Sequence, residues 1–326
     1  VTDLFDHRPH VQGKRLNVLP DNPDTGLEDA AVTPGRFPRW LHRKLPSRTS
    51  LHTTKDVLCT QRLPTVCEEA NCPNLIECWS HKTATFLTMG HACTRSCGFC
   101  NIAFSPKPQD LDPDEPRRIA QSIEELGLRH AVITMVARDD LPDGGASHLI
   151  AILSAIHNTL PGVTVEVLTS DLAGNLDALD AILAAKPAIF NHNIETVRTL
   201  TPRVRHKATY DRTLAILAHA SQKGDGVLVK SGMMVGLGET EEEVYTTLQD
   251  LHQVGCKIVT IGHYLQPSHR KLRVKSFITP EQFQTYADYG HTLGIPFVYS
   301  GPFVRSSYNA AAVFEHLQQK EVSHVR

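Results

Sequence analysis

The chain has 326 residues, 41% hydrophobic and 21% charged, which fits a globular protein and excludes a disordered or collagen-like one. With 33 basic against 35 acidic residues the formal net charge is -2, so a grip on nucleic-acid phosphates is a poor first expectation. No apolar run approaches the roughly 18 residues of a membrane span, and the N-terminus lacks a basic segment followed by an apolar one. The expectation is a cytoplasmic protein with neither nucleic acid nor membrane as partner.

In chain order, residues 1–36 are rich in Asp, Pro, Gly and Asn without apolar period and read as an extension. Phe37 to Pro46 mixes apolar anchors with positive charge and is expected to dock on the main body. A short helix is expected over Thr53 to Leu63. From Ala84 onward, short β-branched runs alternate with helical ones, the signature of βα units. Strands are predicted near Thr85–Met89, Ala131–Val136, Val163–Thr169, Ala188–Asn193, Val227–Val235, Lys257–Leu265 and Pro296–Ser300. Helical periods include Ile119, Ile123, Leu126; Leu149, Leu153, Ile156; Leu176, Leu179, Ile182, Leu183; and Val244, Leu248, Leu251. Six or seven such units make a full or partial βα barrel. An open doubly wound sheet gives the same alternation, but its dinucleotide fingerprint is missing: Gly236-Leu-Gly238-Glu-Thr-Glu241 carries Glu where the third glycine belongs, and no Walker-type sequence occurs.

The chain has eight cysteines, and seven lie between Cys59 and Cys100. Cys93-Thr-Arg-Ser-Cys97-Gly-Phe-Cys100 follows the first predicted strand, where barrel chemistry sits. Thiolates are soft ligands for zinc or iron–sulfur iron, and three of them on a cubane leave one iron open. The alternatives are a disulfide, weak in a cytosolic chain, and a zinc site completed by His91 or His81. A further triplet, the first in chain order, Cys67-x4-Cys72-x5-Cys78, is likewise one ligand short. Cys59 and Cys256 fall outside both and read as incidental. The 18 histidines show no paired metal-binding spacing.

At Cys93-x3-Cys97-x2-Cys100, with the aromatic Phe99 before the last cysteine, the sequence resembles the radical S-adenosylmethionine (SAM) superfamily. The Cys67-Cys72-Cys78 triplet, the run from Val66 to Asn74, Thr83-Ala-Thr-Phe86 and Gly301-Pro-Phe-Val-Arg-Ser-Ser-Tyr308 make it similar to the lipoyl synthase family, over about Trp40 to Ala310. The resemblance implies an α/β fold, a partial (β/α)6-type radical-SAM barrel over 84–301. A cysteine-rich extension (1–83) would carry the auxiliary cluster motif, and a C-terminal segment (302–326) would close on it. It implies that Cys93, Cys97 and Cys100 hold a 4Fe–4S cluster that chelates SAM and releases a deoxyadenosyl radical. Cys67, Cys72 and Cys78 would hold an auxiliary 4Fe–4S cluster, with a serine oxygen as the last ligand, assigned to Ser307 with Ser306 as the lesser choice. Spacing alone reads these serines as a helix cap. The implied reaction inserts two sulfur atoms at C6 and C8 of an octanoyl-lysine, hydrogen being removed from C6 and then C8 and the auxiliary cluster being consumed as sulfur donor. Unactivated methylenes offer no acidic proton or leaving group, so a radical is the fitting tool. The implied partners are octanoylated lipoyl carrier proteins (lipoyl domains, the glycine cleavage H protein), a ferredoxin- or flavodoxin-type reductant and an iron–sulfur carrier.

Polar groups near predicted strand ends are candidates for holding SAM or acyl-lysine: Arg138-Asp139-Asp140, Asn191-His192-Asn193-Ile-Glu195, Lys230-Ser231-Gly232 and Gly236. Each reads equally well as a cap or turn. Two departures from the family pattern stand out: Ala137 where an acidic residue is usual, and His206-Lys207 where Pro-Gly is. A radical methylthiotransferase and a non-catalytic iron–sulfur protein remain the competing readings. The first lacks an added C-terminal β-domain, and the second would need four cysteines per cluster.

Overall fold

The structure, a computed structural model, describes residues 37–42, 51–80 and 85–307. The chain divides into residues 1–37 and 38–326. The expected extension over 1–36, the rest of the Phe37–Pro46 segment, His81, and everything after Ser307 lie outside the described residues.

The second unit opens with helices α1 (Leu51–Thr60), α2 (Val66–Glu69) and α3 (Leu75–Ser80). There follow β1 (Thr85–Thr88), a two-stranded ribbon of β2 (Ala92–Cys93) and β3 (Ala103–Phe104), α4 (Glu115–Leu126), β4 (His130–Met135), α5 (Ala146–Thr159), β5 (Thr164–Leu168), α6 (Leu176–Ala184) and β6 (Ile189–Asn191). The series ends with α7 (Thr201–Val204), α8 (Tyr210–Lys223), β7 (Leu228–Val235), α9 (Glu241–Gln253), β8 (Ile258–His263), α10 (Pro280–Thr292) and β9 (Phe297–Gly301). The seven strands expected from the sequence are the seven of the main sheet. The β2–β3 ribbon, two residues a side, is too short to leave a periodic signal.

The sheet runs β1-β4-β5-β6-β7-β8-β9, every neighbouring pair parallel. The order never reverses, which removes the doubly wound alternative, since that fold needs a switch point. Right-handed crossovers that always advance one strand put every helix on the same face. The sheet therefore curls with that face outward. β1 and β9 are its two edges, and they share no ladder among the described residues, so the architecture is a partial barrel.

The helices form where the apolar period requires. Ile119 and Ile123 of α4, Leu149, Leu153 and Ile156 of α5, and Val244, Leu248 and Leu251 of α9 are all completely buried against the sheet. Thr240 starts α9 with a capping box: its hydroxyl accepts from Glu243 N at 3.3 Å, and the Glu243 carboxylate accepts from Thr240 N at 2.8 Å. β4 and β8 are buried at every position, as parallel strands covered on both faces should be. Among the described residues no helix is long and apolar enough to cross a membrane.

Candidate functional site

The loop after β1 carries the second cysteine triplet to the C-terminal mouth of the sheet. Met89 (φ 69°) and Gly90 (φ 93°) turn the chain sharply out of β1. The Met89 amide donates to Glu115 Oε2 (3.1 Å), which also meets His148 Nε2 at 2.6 Å, so α4 and α5 hold the turn from below. The loop is then fastened backbone to backbone: Thr94 N to Ala137 O (3.0 Å), Gly98 N to Val204 O (2.9 Å), and Leu272 N to Gly98 O (3.0 Å). A Cβ on Gly98 would lie 2.9 Å from Leu272 Cδ1 and 3.3 Å from Arg203 O, so glycine there is what lets the α7 and β8 segments close on the cysteines.

Arg95, inside the triplet, is almost fully buried and binds two carboxylates. It forks onto Asp139 (2.6–3.1 Å) at the end of β4 and reaches Asp171 at 2.6 Å after β5. Asp171 also takes Arg212 at 3.1 Å. The Arg95 hydrogen bonds hold the Asp139 carboxyl below the usual carboxylate range. At Asp171 burial pushes upward, but Arg95, His192 and Arg212 together outweigh it and the net shift is down. The sequence motif thus supplies its own anchor.

Burial raises the Cys97 thiol, and it raises Cys100 to about 12 against an opposing Ile102 amide hydrogen bond. Both feel the charge of Cys93 and of Glu195; the Arg205 guanidinium acts oppositely on Cys97. The three thiols therefore lie close together, and burial keeps those of Cys97 and Cys100 protonated while they are free. A multiply charged iron cluster would stabilise the thiolates that burial disfavours, so the donor set fits that group.

The first triplet sits on α2, α3 and the bend between them. Thr65 caps α2, its hydroxyl accepting from Glu68 N at 3.3 Å. Cys67 is buried, which pushes its thiol up to about 11, while a hydrogen bond from the Thr85 backbone opposes the shift and the Cys72 charge adds to it. This region touches the second cysteine loop directly: Asn101 Nδ2 donates to Glu69 O (3.1 Å), and His91 Nδ1 lies 2.9 Å from Glu69 Oε1. That pairing engages the fourth ligand of the zinc alternative. Among the described residues no three His, Cys, Asp or Glu side chains form a single-ion site. The region also meets the chain end, because Asn74 Nδ2 donates to Phe303 O at 2.7 Å across 229 positions. A Cβ on Gly262 would fall 2.0 Å from Val304 O, so the C-terminal segment lies directly on β8. Ser306 Cβ is 3.4 Å from the Cβ position of Gly232 on β7, and Ser307 follows in the same turn, half-buried.

The other sequence candidates separate into two groups. Glu195, with φ 66° and a carboxyl pushed up by burial, faces the cysteines and receives Asn193 Nδ2 at 3.1 Å. Asn193 Oδ1 is buried without a partner. Phe99 packs on Val204, Leu237 and Tyr264. Gly236 (φ 100°) begins the loop after β7, its amide bonded to the Glu239 carboxylate, which also accepts from Leu237 N at 3.0 Å. Lys230 and Asn191 are instead tied inside the barrel: Lys230 Nζ lies 3.0 and 2.9 Å from the Glu166 oxygens, and Asn191 Nδ2 donates to Glu166 at 2.7 Å. Arg138 forks onto Asp140 at 2.8–3.3 Å. Sequence reading missed Glu166 and Asp171. An acid within Val-Glu166-Val was the one available signal for the former, since a lone charge in an apolar strand must find an ion partner.

The Radical SAM superfamily matches residues 87–251. The lipoyl synthase of Protochlamydia amoebophila (strain UWE25) is 61% identical over 311 residues, 94% of this chain and 96% of that protein. The lipoyl synthase of Chlamydia muridarum is 52% identical over 303 residues, covering 93% and 98%. Among solved structures, Streptococcus suis SuiB bound to S-adenosylmethionine has TM-score 0.52 at 12% identity over 73% of this chain and 56% of that one. The hydrogenase maturase HydG from Carboxydothermus hydrogenoformans has TM-score 0.52 at 17% identity over 72% and 65%. These two share the fold.

Proposed function

The chain belongs to the lipoyl synthase family within the radical SAM superfamily, and from that premise we propose which of its residues perform the reaction. It is a sulfurtransferase that uses SAM and two 4Fe–4S clusters and acts on lipoyl-protein substrates. In our reading two sulfur atoms enter at C6 and C8 of octanoyl-lysine. Cys93, Cys97 and Cys100 hold the SAM-binding cluster; Cys67, Cys72, Cys78 and Ser307 hold the auxiliary one. When bound, the first supplies the electron that cleaves SAM reductively and the second supplies the sulfur.

The chain's own residues bind, orient and exclude. The Arg95 fork fixes the cysteine loop against β4 and β5, so the open corner of its cluster keeps one orientation. Glu195, an acceptor near the three thiols, suits the SAM ammonium, with Asn193 beside it as a further polar contact. Phe99 and its apolar neighbours exclude water from the rim, which suppresses quenching of a reactive radical. Arg138, Asp139, Asn191 and Lys230 serve by holding the mouth and floor in shape, and Gly236 by opening the turn beside them. A serine oxygen is a harder ligand than thiolate, so Ser307 would hold its iron less tightly than the cysteines hold theirs.

What supports the reading most is the bond from Asn74, inside the first triplet, to Phe303, four residues before Ser307. The division into 1–83, 84–301 and 302–326, a cytoplasmic location, a ferredoxin- or flavodoxin-type reductant, an iron–sulfur carrier, and lipoyl domains or an H protein as carriers complete the proposal. To test it, anaerobic protein is incubated with an octanoyl-lysine peptide, SAM and reductant. A product with two more sulfurs and two fewer hydrogens, formed without added sulfide, is expected. Deoxyadenosine with an unchanged peptide would overturn the substrate.

A further inference from the structure

The two segments that clamp Gly98 also carry the densest unpaired positive charge near the cysteine loop. On one side, Val204 O accepts from Gly98 N, and the neighbouring Arg203 and His206 are exposed. On the other, Leu272 N donates to Gly98 O, and His269, Arg270, Arg273 and Lys275 are exposed around it. The ribbon from Leu272 to Lys275 alternates. Leu272 and Val274 pack on Val204, Leu237 and Tyr264, which leaves Arg273 and Lys275 facing out.

No ion pair of Arg203, Arg270, Arg273 or Lys275 occurs among the described residues, whereas Arg95, Arg138, Arg212 and Lys230 are all paired. The sequence has no Asp or Glu between Asp250 and Glu281, nor between Glu195 and Asp211. In a chain whose net charge is -2, that is a local concentration of one sign beside the cysteine loop.

We propose that this basic rim is the docking surface for the protein that carries the acyl-lysine, and that the carrier presents an acidic face around its lysine. The proposal rests on the lipoyl synthase reading of the site. A protein is favoured over nucleic acid because the substrate is itself carried on protein, and because a chain of near-zero net charge has only this short patch to offer phosphates. Rim charges of this kind steer encounter and fix register while adding little to the chemistry. Their effect therefore belongs in the KM for the carrier and in its salt dependence.

The test compares wild type with the double variant R203E/R273E on two substrates: an uncharged octanoyl-lysine peptide, and an octanoylated lipoyl domain with Asp and Glu flanking the lysine. For the domain, KM is expected to rise about tenfold or more in the variant, and for wild type to rise similarly as salt goes from about 50 to 300 mM. For the peptide, KM and deoxyadenosine formation stay within about twofold. Changing the domain's flanking acids to Asn and Gln should remove the difference between wild type and variant. Should the double variant fail to fold, R273E alone and the wild-type salt response carry the same readout.

An unchanged domain KM, or an equal loss on the peptide, overturns the docking proposal while leaving the lipoyl reading intact. Failure of wild type to thiolate either substrate overturns both. Competition by a short oligonucleotide at micromolar concentration, without response to the domain's acids, reassigns the rim to nucleic acid and overturns the proposal.

Discussion

The two cysteine regions are built in opposite ways. The second triplet is compact in sequence and fastened locally: Arg95 forks onto Asp139 and Asp171, and backbone bonds tie Thr94 and Gly98 to strand ends and to both flanking segments. The first triplet sits on helices of four and six residues. It meets the rest of its proposed site through contacts distant in sequence, among them Asn101 and His91 to Glu69 and Asn74 to Phe303. A site that must survive every turnover profits from dense local anchoring. One that must be dismantled to release sulfur profits from a removable side.

The largest expected effect that breaks this comparison is at the second triplet. Cys97→Ala should abolish both deoxyadenosine formation and thiolation, while Cys72→Ala should abolish thiolation alone, as read by mass spectrometry of both products. Equal loss of SAM cleavage in the two variants would dissolve the division of labour. Next, Ser307→Ala should keep SAM cleavage but lower lipoyl formation by about tenfold or more; normal lipoyl formation would remove Ser307 from the ligand set and turn attention to Ser306.

Arg95→Met should destabilise the apo-protein by about 1.5–3 kcal/mol in a denaturant titration, since it removes charge-assisted hydrogen bonds and leaves the buried Asp171 with Arg212 as its remaining ion partner. The direction with pH follows from the depressed carboxyls of Asp139 and Asp171: the contribution is complete above their unfolded values near pH 4 and is lost as pH falls through the lower folded ones. The gap between wild type and variant should therefore narrow in acid. Asn74→Ala should cost about 1–2 kcal/mol by leaving Phe303 O without this donor, and should slow thiolation more than SAM cleavage, measured on the same sample.

The effect least specific to the two cysteine regions is a general acid sensitivity. Burial holds His192 and His130 down at about 4, with Arg205 lowering the first further and Glu166 opposing the shift of the second. Unfolded imidazoles bind protons from about pH 6.5 downward, so stability should fall by up to about 1.4 kcal/mol per pH unit for each between that value and about 4. A denaturation midpoint flat over this range would show that these histidines titrate normally.

Much of this was legible in the sequence. The strands and the helical stripes Ile119-Ile123-Leu126 and Val244-Leu248-Leu251 follow from periodicity, because burial against a covered parallel sheet leaves a pattern of period 2 or 3.6 that local composition reports. The cysteine spacings reported the chemistry for a similar reason: ligands on one short loop are neighbours in sequence before they are neighbours in space. The β2–β3 ribbon escaped because two residues carry no period.

Only the tertiary structure decided which polar groups are free to act. Arg138, Asp139, Asn191 and Lys230 looked alike at strand ends, yet Asp139 is taken by Arg95, Arg138 by Asp140, and Lys230 with Asn191 by Glu166. Glu195 alone of these charged candidates faces the cysteines with a carboxyl pushed up by burial. Arg138 finds its acid two positions away, but the partners of Asp139, Asn191 and Lys230 lie 25 to 64 positions away, and they are set by which strands the curled sheet brings side by side. The sequence determined the elements and the ligand types; the closing of chain end on chain beginning, Asn74 on Phe303, needed the whole barrel between them.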